Sequence, residues 1–292
     1  MATFLTARTT ARNKEQRTYT VYGEVVSERP VALFDIDGVL VDCTTRLQRS
    51  LEEVGATKDD LDRNPEARRR FWRVFLSEKY MHLDRPVEVA TRLLKERKKR
   101  YSIVIVTGRP EALLRPTIRQ LEDFGVPFDA VVFRAQGYFG KDHEYKLRVV
   151  ESLNLDVVEV HDDSPEVCRR MLHISRNGVF WWYAPGKYLY LLPLVAVVNG
   201  RRISFSKEAS AEQVSCAGGC VIEYAGVKRV ARSEEEARQI IEKLRERLLS
   251  LYLPQDVFRD PVARGELEVH GERHPTPLQL RGSVAELLDP SL

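Results

Sequence analysis

The feature that most constrains the fold of this chain is a regular alternation, beginning at Pro30, of short apolar runs with longer amphipathic segments. The apolar runs are rich in Val, Ile and aromatic residues and are short enough to be buried strands. Such an alternation predicts an α/β fold, a doubly wound parallel sheet with helices on its faces. The predicted strands are 31–34, 103–106, 130–133, 157–160 and 179–183, and the predicted helices between them are 111–124, 144–153 and 165–173.

A long charged insert separates the first two predicted strands, and its apolar residues recur at helical spacing. It therefore predicts a helical cap over residues 45–99. After the last parallel strand the pattern changes to hairpin strands and one strong amphipathic helix, which predicts a small α+β appendage. We expect four parts: an N-terminal arm (1–28), a catalytic α/β domain (29–190), a small β/α module (191–253) and a C-terminal tail (254–292) that could dock on a protein partner.

Composition and charge bear on the partners and the location of the protein. The 46 basic and 43 acidic residues give a net charge of only +3, which neither requires nor excludes a polyanionic partner. The N-terminal segment lacks the apolar region of a secretory signal, and the most apolar stretch (178–199) is interrupted by proline and glycine, so we expect no export and no membrane span. The excess of Arg over Lys, 34 to 12, resembles the composition of a thermophile protein.

Four cysteines in a chain of this length make no disulfide framework, so we expect a cytoplasmic protein. Cys216 and Cys220 lie close together in the sequence. They could form a disulfide, remain thiols or hold a metal, and the sequence leaves these alternatives open.

Two carboxylates, Asp35 and Asp37, follow the first buried strand and are two residues apart. In an extended chain their side chains point the same way. The carboxyl end of a parallel strand is where open α/β sheets bind ligands, and the mutual repulsion of two acids there calls for a cation. Gly38 allows the chain to turn sharply after them.

Three further groups of polar residues follow later predicted strands. Thr107, Gly108 and Arg109 offer a hydroxyl, an accessible amide and a guanidinium, all suited to phosphate oxygens. Lysines follow the third strand, and either ammonium group could offset the charge of carboxylates and a phosphate. Adjacent acids end the fourth strand and suit a hard cation such as Mg²⁺, although one of them could instead cap the next helix. These residues are Lys141, Lys146, Asp162 and Asp163.

These four motifs, in this order, resemble those of the haloacid dehalogenase (HAD) superfamily of phosphatases. The resemblance covers residues 31–183 and implies a Rossmann-like sheet with the insert as its cap. It also implies a hydrolase that forms an aspartyl-phosphate: Asp35 is the nucleophile and Asp37 the acid and base. Thr107 and Gly108 would hold the phosphoryl group, with Arg109 nearby.

The same resemblance implies Mg²⁺ as cofactor, bound by Asp35, Asp37, Asp162 and Asp163. The lysine that neutralises charge at the site would be Lys146 or Lys141. An acid at the position of Asp37 favours phosphomonoesters over dehalogenation.

The segment 131–163 is also similar, more weakly, to the phosphatase part of polynucleotide kinase-phosphatase. No kinase-type phosphate loop accompanies it. We therefore expect a phosphorylated substrate and hold several classes open: nucleic-acid 3′ ends or nucleotides, small metabolites, and phosphoproteins. A non-catalytic binding protein on the same fold is the alternative of another kind.

Overall fold

The structure, a computed structural model, describes residues 17–25, 29–205, 211–216, 218–252 and 268–269. The chain divides into two compact units. Among the described residues, the first unit comprises those up to Asp156 together with Ala184–Gly186, and the second comprises Val157–Tyr183 and those from Lys187 onward. Parallel strands connected through helices confirm the predicted α/β fold with a mainly parallel sheet.

In the first unit, parallel pairing brings together strands that are distant in sequence. Val31 lies opposite Ser102 and Phe34 opposite Ile105, and the strand that begins at Ser102 pairs in parallel with the next one. The strands are β1 (Tyr19–Gly23), β2 (Val31–Phe34), β3 (Val41–Asp42), β4 (Arg85–Pro86), β5 (Ser102–Pro110) and β6 (Ala130–Arg134). They lie side by side in the order β1-β6-β5-β2, with β3 and β4 forming a separate antiparallel pair.

The helices of the first unit are α1 (Thr44–Val54), α2 (Lys58–Arg63), α3 (Pro65–Phe75), α4 (Glu88–Lys98), α5 (Leu114–Asp123) and α6 (Asp142–Ser152). The charged insert is thus helical, as its periodicity predicts. The side chain of Asn64 accepts hydrogen bonds from the first free amides of α3, and Pro65 occupies the turn where proline is tolerated. Phe71 and Phe75 form the buried face of this helix.

In the second unit, β7 pairs in parallel with β8, and four later strands form an antiparallel sheet in the order β11-β10-β12-β13. The elements are β7 (Val157–Asp162), α7 (Pro165–Met171), β8 (Gly178–Ala184), β9 (Lys187–Leu191), β10 (Val195–Val198), β11 (Arg201–Ser204), β12 (Cys220–Tyr224), β13 (Val227–Ala231), α8 (Glu234–Tyr252) and β14 (Glu268–Val269).

Several details of the second unit bear on the sequence predictions. A disulfide joins Cys216 to Cys220, which answers the question that the sequence leaves open. Apart from β14, the predicted C-terminal tail lies outside the described residues, so its docking stays a prediction. Within the described part of the chain, no helix is long and apolar enough to cross a membrane.

Two local differences from the sequence predictions lie in the first unit. Residues 19–23, assigned from sequence to an N-terminal arm, form β1 and pair with β6 in antiparallel register. The strand predicted at 103–106 extends to Pro110, and its register with β6 shifts between Thr107 and Pro110. A prediction from apolar runs ends the strand at Val106, because the residues that extend it are Thr107, Gly108, Arg109 and Pro110. The proposed division into four parts stays a prediction.

Asp129 ties the start of β5 to the end of α4. Its carboxylate accepts hydrogen bonds from Lys98 Nζ at 2.7 Å, from the amide of Ile103 at 2.7 Å and from the Ser102 hydroxyl at 3.2 Å. Burial alone would raise the pKa of Asp129, but these hydrogen bonds and the charge of Lys98 outweigh it and lower the pKa. The ionised form of Asp129 therefore stabilises the folded unit.

Replacing Asp129 with Asn should lower the free energy of unfolding at pH 7 by about 1–2 kcal/mol, because an ionised acceptor of several bonds is lost. A group with a lowered pKa stabilises the fold above its unfolded pKa, so the difference should shrink as the pH falls below about 4. Urea unfolding at pH 7 and pH 3 measures this. The exposed Glu96→Gln variant is the control, and an equal loss in both variants would contradict the assignment.

Candidate active site

Asp35 follows the last residue of β2 and is buried, with 9% of its surface exposed. Lys146, on the inner face of α6, places Nζ 2.8 Å from Asp35 Oδ2. The other carboxylate oxygen, Oδ1, accepts a hydrogen bond from the amide of Ile36 at 2.7 Å. Lys146 therefore places a positive charge directly beside the carboxylate of Asp35, at the end of a parallel strand.

Asp37 lies two residues further on and is held by two arginines. Arg109 donates from Nε to Oδ2 at 2.9 Å and from Nη2 to Oδ1 at 2.7 Å, a bidentate pair, and Arg46 also donates to Oδ1. Burial would raise the pKa of Asp37, but the charges of Arg109 and Arg46 prevail and lower it to about 2. Gly38, with φ of 84°, allows the turn that follows.

A second carboxylate from the insert shares these arginines. Asp84 Oδ1 lies 3.0 Å from Arg46 Nε, and its Oδ2 lies 3.5 Å from Arg109 Nη2 and accepts a hydrogen bond from Gln120 at 2.9 Å. Burial raises the pKa of Asp84 against the opposing charge of Arg46. Two carboxylates and two guanidinium groups therefore form one buried network between the insert and the strand ends.

Thr107 and Gly108 lie in the irregular end of β5. Thr107 is buried, and its hydroxyl accepts a hydrogen bond from the amide of Arg109 at 3.1 Å. A Cβ on Gly108 would lie 3.1 Å from a carboxylate oxygen of Asp142, so the glycine keeps this edge open. The Arg109 side chain turns away from this edge into the protein, where it donates to Thr117 at 3.1 Å and Gln120 at 2.8 Å. The structure thus gives Arg109 a partner in Asp37, whereas the sequence predicts a contact to phosphate.

The two candidate lysines occupy different environments. Lys141 is the exposed residue that precedes α6, whereas Lys146 is buried against Asp35. Asp142 lies 3.1 Å from Lys146 Nζ and accepts a hydrogen bond from Arg134 at 2.6 Å. Burial would raise the pKa of Asp142, but Lys146 and Arg134 lower it.

The predicted acid pair lies in the second unit, at the end of β7. Asp162 is buried and accepts a hydrogen bond from the amide of Ser164 at 2.9 Å. Asp163 is exposed, and its backbone carbonyl accepts a hydrogen bond from the indole of Trp181 at 3.0 Å. Ser164, and neither aspartate, caps α7 by accepting from the amide of Val167.

Arg46, Asp84 and Gln120 belong to the network around Asp37, but no sequence motif marks them. Arg46 is fully buried on α1, on a face that also buries Ser50, while the apolar stripe from which the helix is predicted is only half-buried. The spacing of apolar residues along a helix cannot predict a buried ion pair. Asp142 and Lys146, by contrast, are four residues apart on one helix, a spacing that predicts such a pair.

Comparisons with known proteins give partial structural similarities. No family model and no curated protein match the chain. A chain of the Pnkp1/Rnl/Hen1 complex is 18% identical with a TM-score of 0.37, over 55% of this chain and 48% of that one. This chain therefore spans about half the length of that chain.

Two solved hydrolases give similar values. A haloacid dehalogenase-like family protein from Streptococcus pneumoniae is 15% identical with a TM-score of 0.37, over 49% of this chain and 80% of that one. A HAD-superfamily hydrolase of subfamily IA from Geobacter sulfurreducens is 18% identical with a TM-score of 0.35, over 53% of this chain and 90% of that one.

Replacing Arg109 with Ala should lower the free energy of unfolding by about 3–5 kcal/mol, because Asp37 and Asp84 lose a buried counter-charge. Arg119→Ala, which removes an exposed guanidinium from the same region, should change it by no more than about 0.5 kcal/mol. Denaturant unfolding measures both. If Arg109→Ala unfolds like the parent protein and only weakens phosphate binding, Arg109 serves the ligand and not the network.

Proposed function

We propose that this protein hydrolyses phosphomonoesters through a phosphorylated aspartate at Asp35. The observation that carries the proposal is the buried carboxylate of Asp35, 2.8 Å from Lys146 Nζ, at the carboxyl end of a parallel strand. Such a carboxylate is an anionic nucleophile whose charge is already offset for the approach of a phosphate. Thr107 lies on the adjacent strand β5, and its hydroxyl is proposed to hold phosphoryl oxygens.

The proposed reaction has two displacements at phosphorus. In the first, an oxygen of Asp35 bonds to phosphorus and the bond from phosphorus to the leaving oxygen breaks. Asp37, which is ionised in its contacts with the arginines, first takes up a proton from water and then gives it to that oxygen. In the second, water attacks the acyl phosphate, Asp37 takes a proton from the water, and inorganic phosphate leaves Asp35. Because Arg46 and Arg109 hold Asp37 here, its transfer of a proton requires one of those contacts to be exchanged for the leaving oxygen.

Three residues beside Asp35 and Asp37 are proposed to bind the phosphoryl group. The hydroxyl of Thr107 and the amide of Gly108 are proposed to donate to the phosphoryl oxygens, and Lys146 to offset their charge. Lys141, which is exposed, is proposed to meet more distant anionic groups of the substrate.

We also propose that Asp35, the backbone carbonyl of Asp37, Asp162 and Asp163 hold Mg²⁺. Each offers a hard oxygen, the donor that this ion prefers, and the carboxylates end the strands that the sequence motifs mark. When bound, the ion would offset the charge that accumulates on the phosphoryl oxygens.

Replacing Asp35 with Asn keeps the shape of the side chain and removes the attacking charge. In buffer with Mg²⁺, hydrolysis of a chromogenic phosphomonoester should fall roughly 10³-fold or more, with the circular dichroism spectrum unchanged. Asp59→Asn, an exposed change of the same type on α2, should retain parental activity. Retained turnover in Asp35→Asn would overturn the assignment of the nucleophile.

A second, narrower candidate is hydrolysis at phosphorylated nucleic-acid ends, and the α3 surface favours it. This surface consists of exposed arginines on successive turns around Trp72, whose exposed fraction is 45%. In the described part of the chain, none of these guanidinium groups pairs with a carboxylate. Unpaired cations with an exposed indole suit phosphates and bases. The arginines are Arg68, Arg69, Arg70 and Arg73.

Replacing Arg68, Arg69 and Arg70 together with Ala should raise KM for a 3′-phosphorylated oligonucleotide at low salt and flatten its dependence on salt, because phosphate contacts release counterions. Hydrolysis of a small ester should respond far less, since those residues add binding and not chemistry. Steady-state kinetics between about 50 and 200 mM salt measure both effects.

The control removes three other exposed arginines, Arg115, Arg119 and Arg232, and should leave the salt dependence steep. Equal effects of the two triple variants, or no cleavage of the oligonucleotide, would favour a small-metabolite or phosphoprotein phosphatase. Absence of hydrolysis on every ester would favour the non-catalytic alternative.

A further inference from the structure

A disulfide between Cys216 and Cys220 joins two neighbouring parts of the second unit. Three residues separate the cysteines, and two of them are glycines. The stabilisation that a disulfide provides through chain entropy grows with the length of the loop that it closes, so a loop this short contributes little. The effect of this disulfide is therefore local, because it fixes the position of Cys216 relative to Cys220.

Cys216 ends a segment, 211–216, that is bound to the start of α8 by polar contacts. The amide of Cys216 donates to one carboxylate oxygen of Glu234 at 2.8 Å. Arg238, one turn further along the helix, donates to the other oxygen of Glu234 at 2.5 Å and to the carbonyl of Val214 at 3.4 Å. The segment therefore depends on two side chains of α8 for its position.

Cys220 lies on the other side of the disulfide, in a more strongly held element. It begins β12, which lies between β10 and β13 in the antiparallel sheet, and it is buried opposite Ala231. The amide of Val221 donates to the side chain of Asn199 at 2.7 Å, and its carbonyl accepts from the Asn199 amide at 2.9 Å. The disulfide thus ties a segment held by a few polar contacts to a strand held by backbone pairing.

The two cysteines differ in exposure. Cys216 is partly exposed, whereas Cys220 is buried. Gly218 and Gly219, which lie between them, are exposed. Within the described part of the chain, nothing lies within 4 Å of the position that a Cβ on Gly218 would take. A thiol that approaches from solvent therefore reaches Cys216 first, with Cys220 as the leaving group.

We propose that this disulfide is a redox switch, which a dithiol protein opens to release segment 211–216 from α8. One thiolate of the dithiol bonds to the sulfur of Cys216, the bond between the two cysteines breaks, and Cys220 leaves with its electron pair and takes a proton. The second thiol then attacks the reductant's sulfur in the mixed disulfide, and Cys216 leaves and takes a proton. The two protons come from the dithiol, which becomes a disulfide as two electrons pass to this protein.

The release follows from the weakness of the contacts that remain after reduction. The ion pair between Glu234 and Arg238 is partly exposed, with 34% and 43% of the two side chains accessible. Pairs at such positions contribute little to stability. Without the covalent bond, segment 211–216 therefore opens at a low cost in free energy, while β12 keeps its pairing with β10 and β13.

The first measurement exposes the native full-length protein to thioredoxin that is kept reduced by its reductase and NADPH. Thiols are then blocked with iodoacetamide and located by peptide mass spectrometry. We expect alkylation of Cys216 and Cys220 only after reduction, and the same alkylation of the thiols Cys43 and Cys168 with and without thioredoxin. Structural disulfides resist such dithiols, so reduction that requires prior denaturation would overturn the proposal.

Amide hydrogen exchange, followed by NMR, detects the release itself. In the reduced protein the amide of Cys216 should exchange at least roughly 10-fold faster, because local opening breaks its bond to Glu234. The amide of Ile103, bonded to Asp129 in the first unit, should be unchanged. Unchanged exchange at Cys216 would mean that nothing is released. Loss of protection throughout α8 would mean that the disulfide holds the whole unit together, and either result would overturn the switch.

Two sets of variants separate the disulfide from the docking contact. Joint replacement of Cys216 and Cys220 with Ser should give the fast exchange of the reduced protein at residue 216, without a response to thioredoxin. Exchange as slow as in the oxidised parent protein would contradict the proposal. Glu234→Gln should speed exchange at Cys216 in the oxidised protein, because a neutral amide is a weaker acceptor than a carboxylate.

Glu235→Gln changes an exposed side chain in the same turn of α8 and is the control. Equal exchange at Cys216 in the two glutamine variants would contradict the docking of the segment on Glu234. None of these measurements involves hydrolysis, so their outcome is independent of the proposed function.

Discussion

The arrangement of this site depends on cations that hold carboxylates together at the end of a buried strand. Asp35 and Asp37 are close in sequence, and without compensation their repulsion and desolvation would favour protonation or local unfolding. Lys146 offsets the charge of Asp35, and Arg46 and Arg109 offset the charge of Asp37. The three cations come from three different elements, so the site forms only when α1, β5 and α6 are all in place.

The buried network also explains why the insert is more than a cover. Arg46 and Asp84 both belong to it, and both are bound into the group around Asp37. Removing one member leaves an uncompensated charge, which costs far more than the loss of an exposed ion pair. The position of the insert and the environment of Asp37 are therefore coupled: a movement of α1 changes what Asp37 can contact.

Much of the fold follows from the sequence because buried parallel strands are apolar runs. The predicted strand at 31–34 coincides with β2, and the helical insert follows from its periodicity. The extension of β5 through Gly108 and Arg109 and the pairing of β1 depend on backbone contacts between distant segments, which no local pattern records. At the site, the sequence offers two lysines, and only the turn of α6 places Lys146 and not Lys141 beside Asp35. The role of Arg46 arises from tertiary contacts alone.

The proposed hydrolysis requires that Asp35 become phosphorylated during turnover. The most direct test is to quench the protein in acid while it hydrolyses a phosphomonoester in the presence of Mg²⁺ and to locate the phosphoryl group by peptide mass spectrometry. We expect an acid-stable, base-labile adduct on the peptide that contains Asp35, absent from the Asp35→Asn protein. An adduct on another residue, or rapid turnover with none on Asp35, would contradict it.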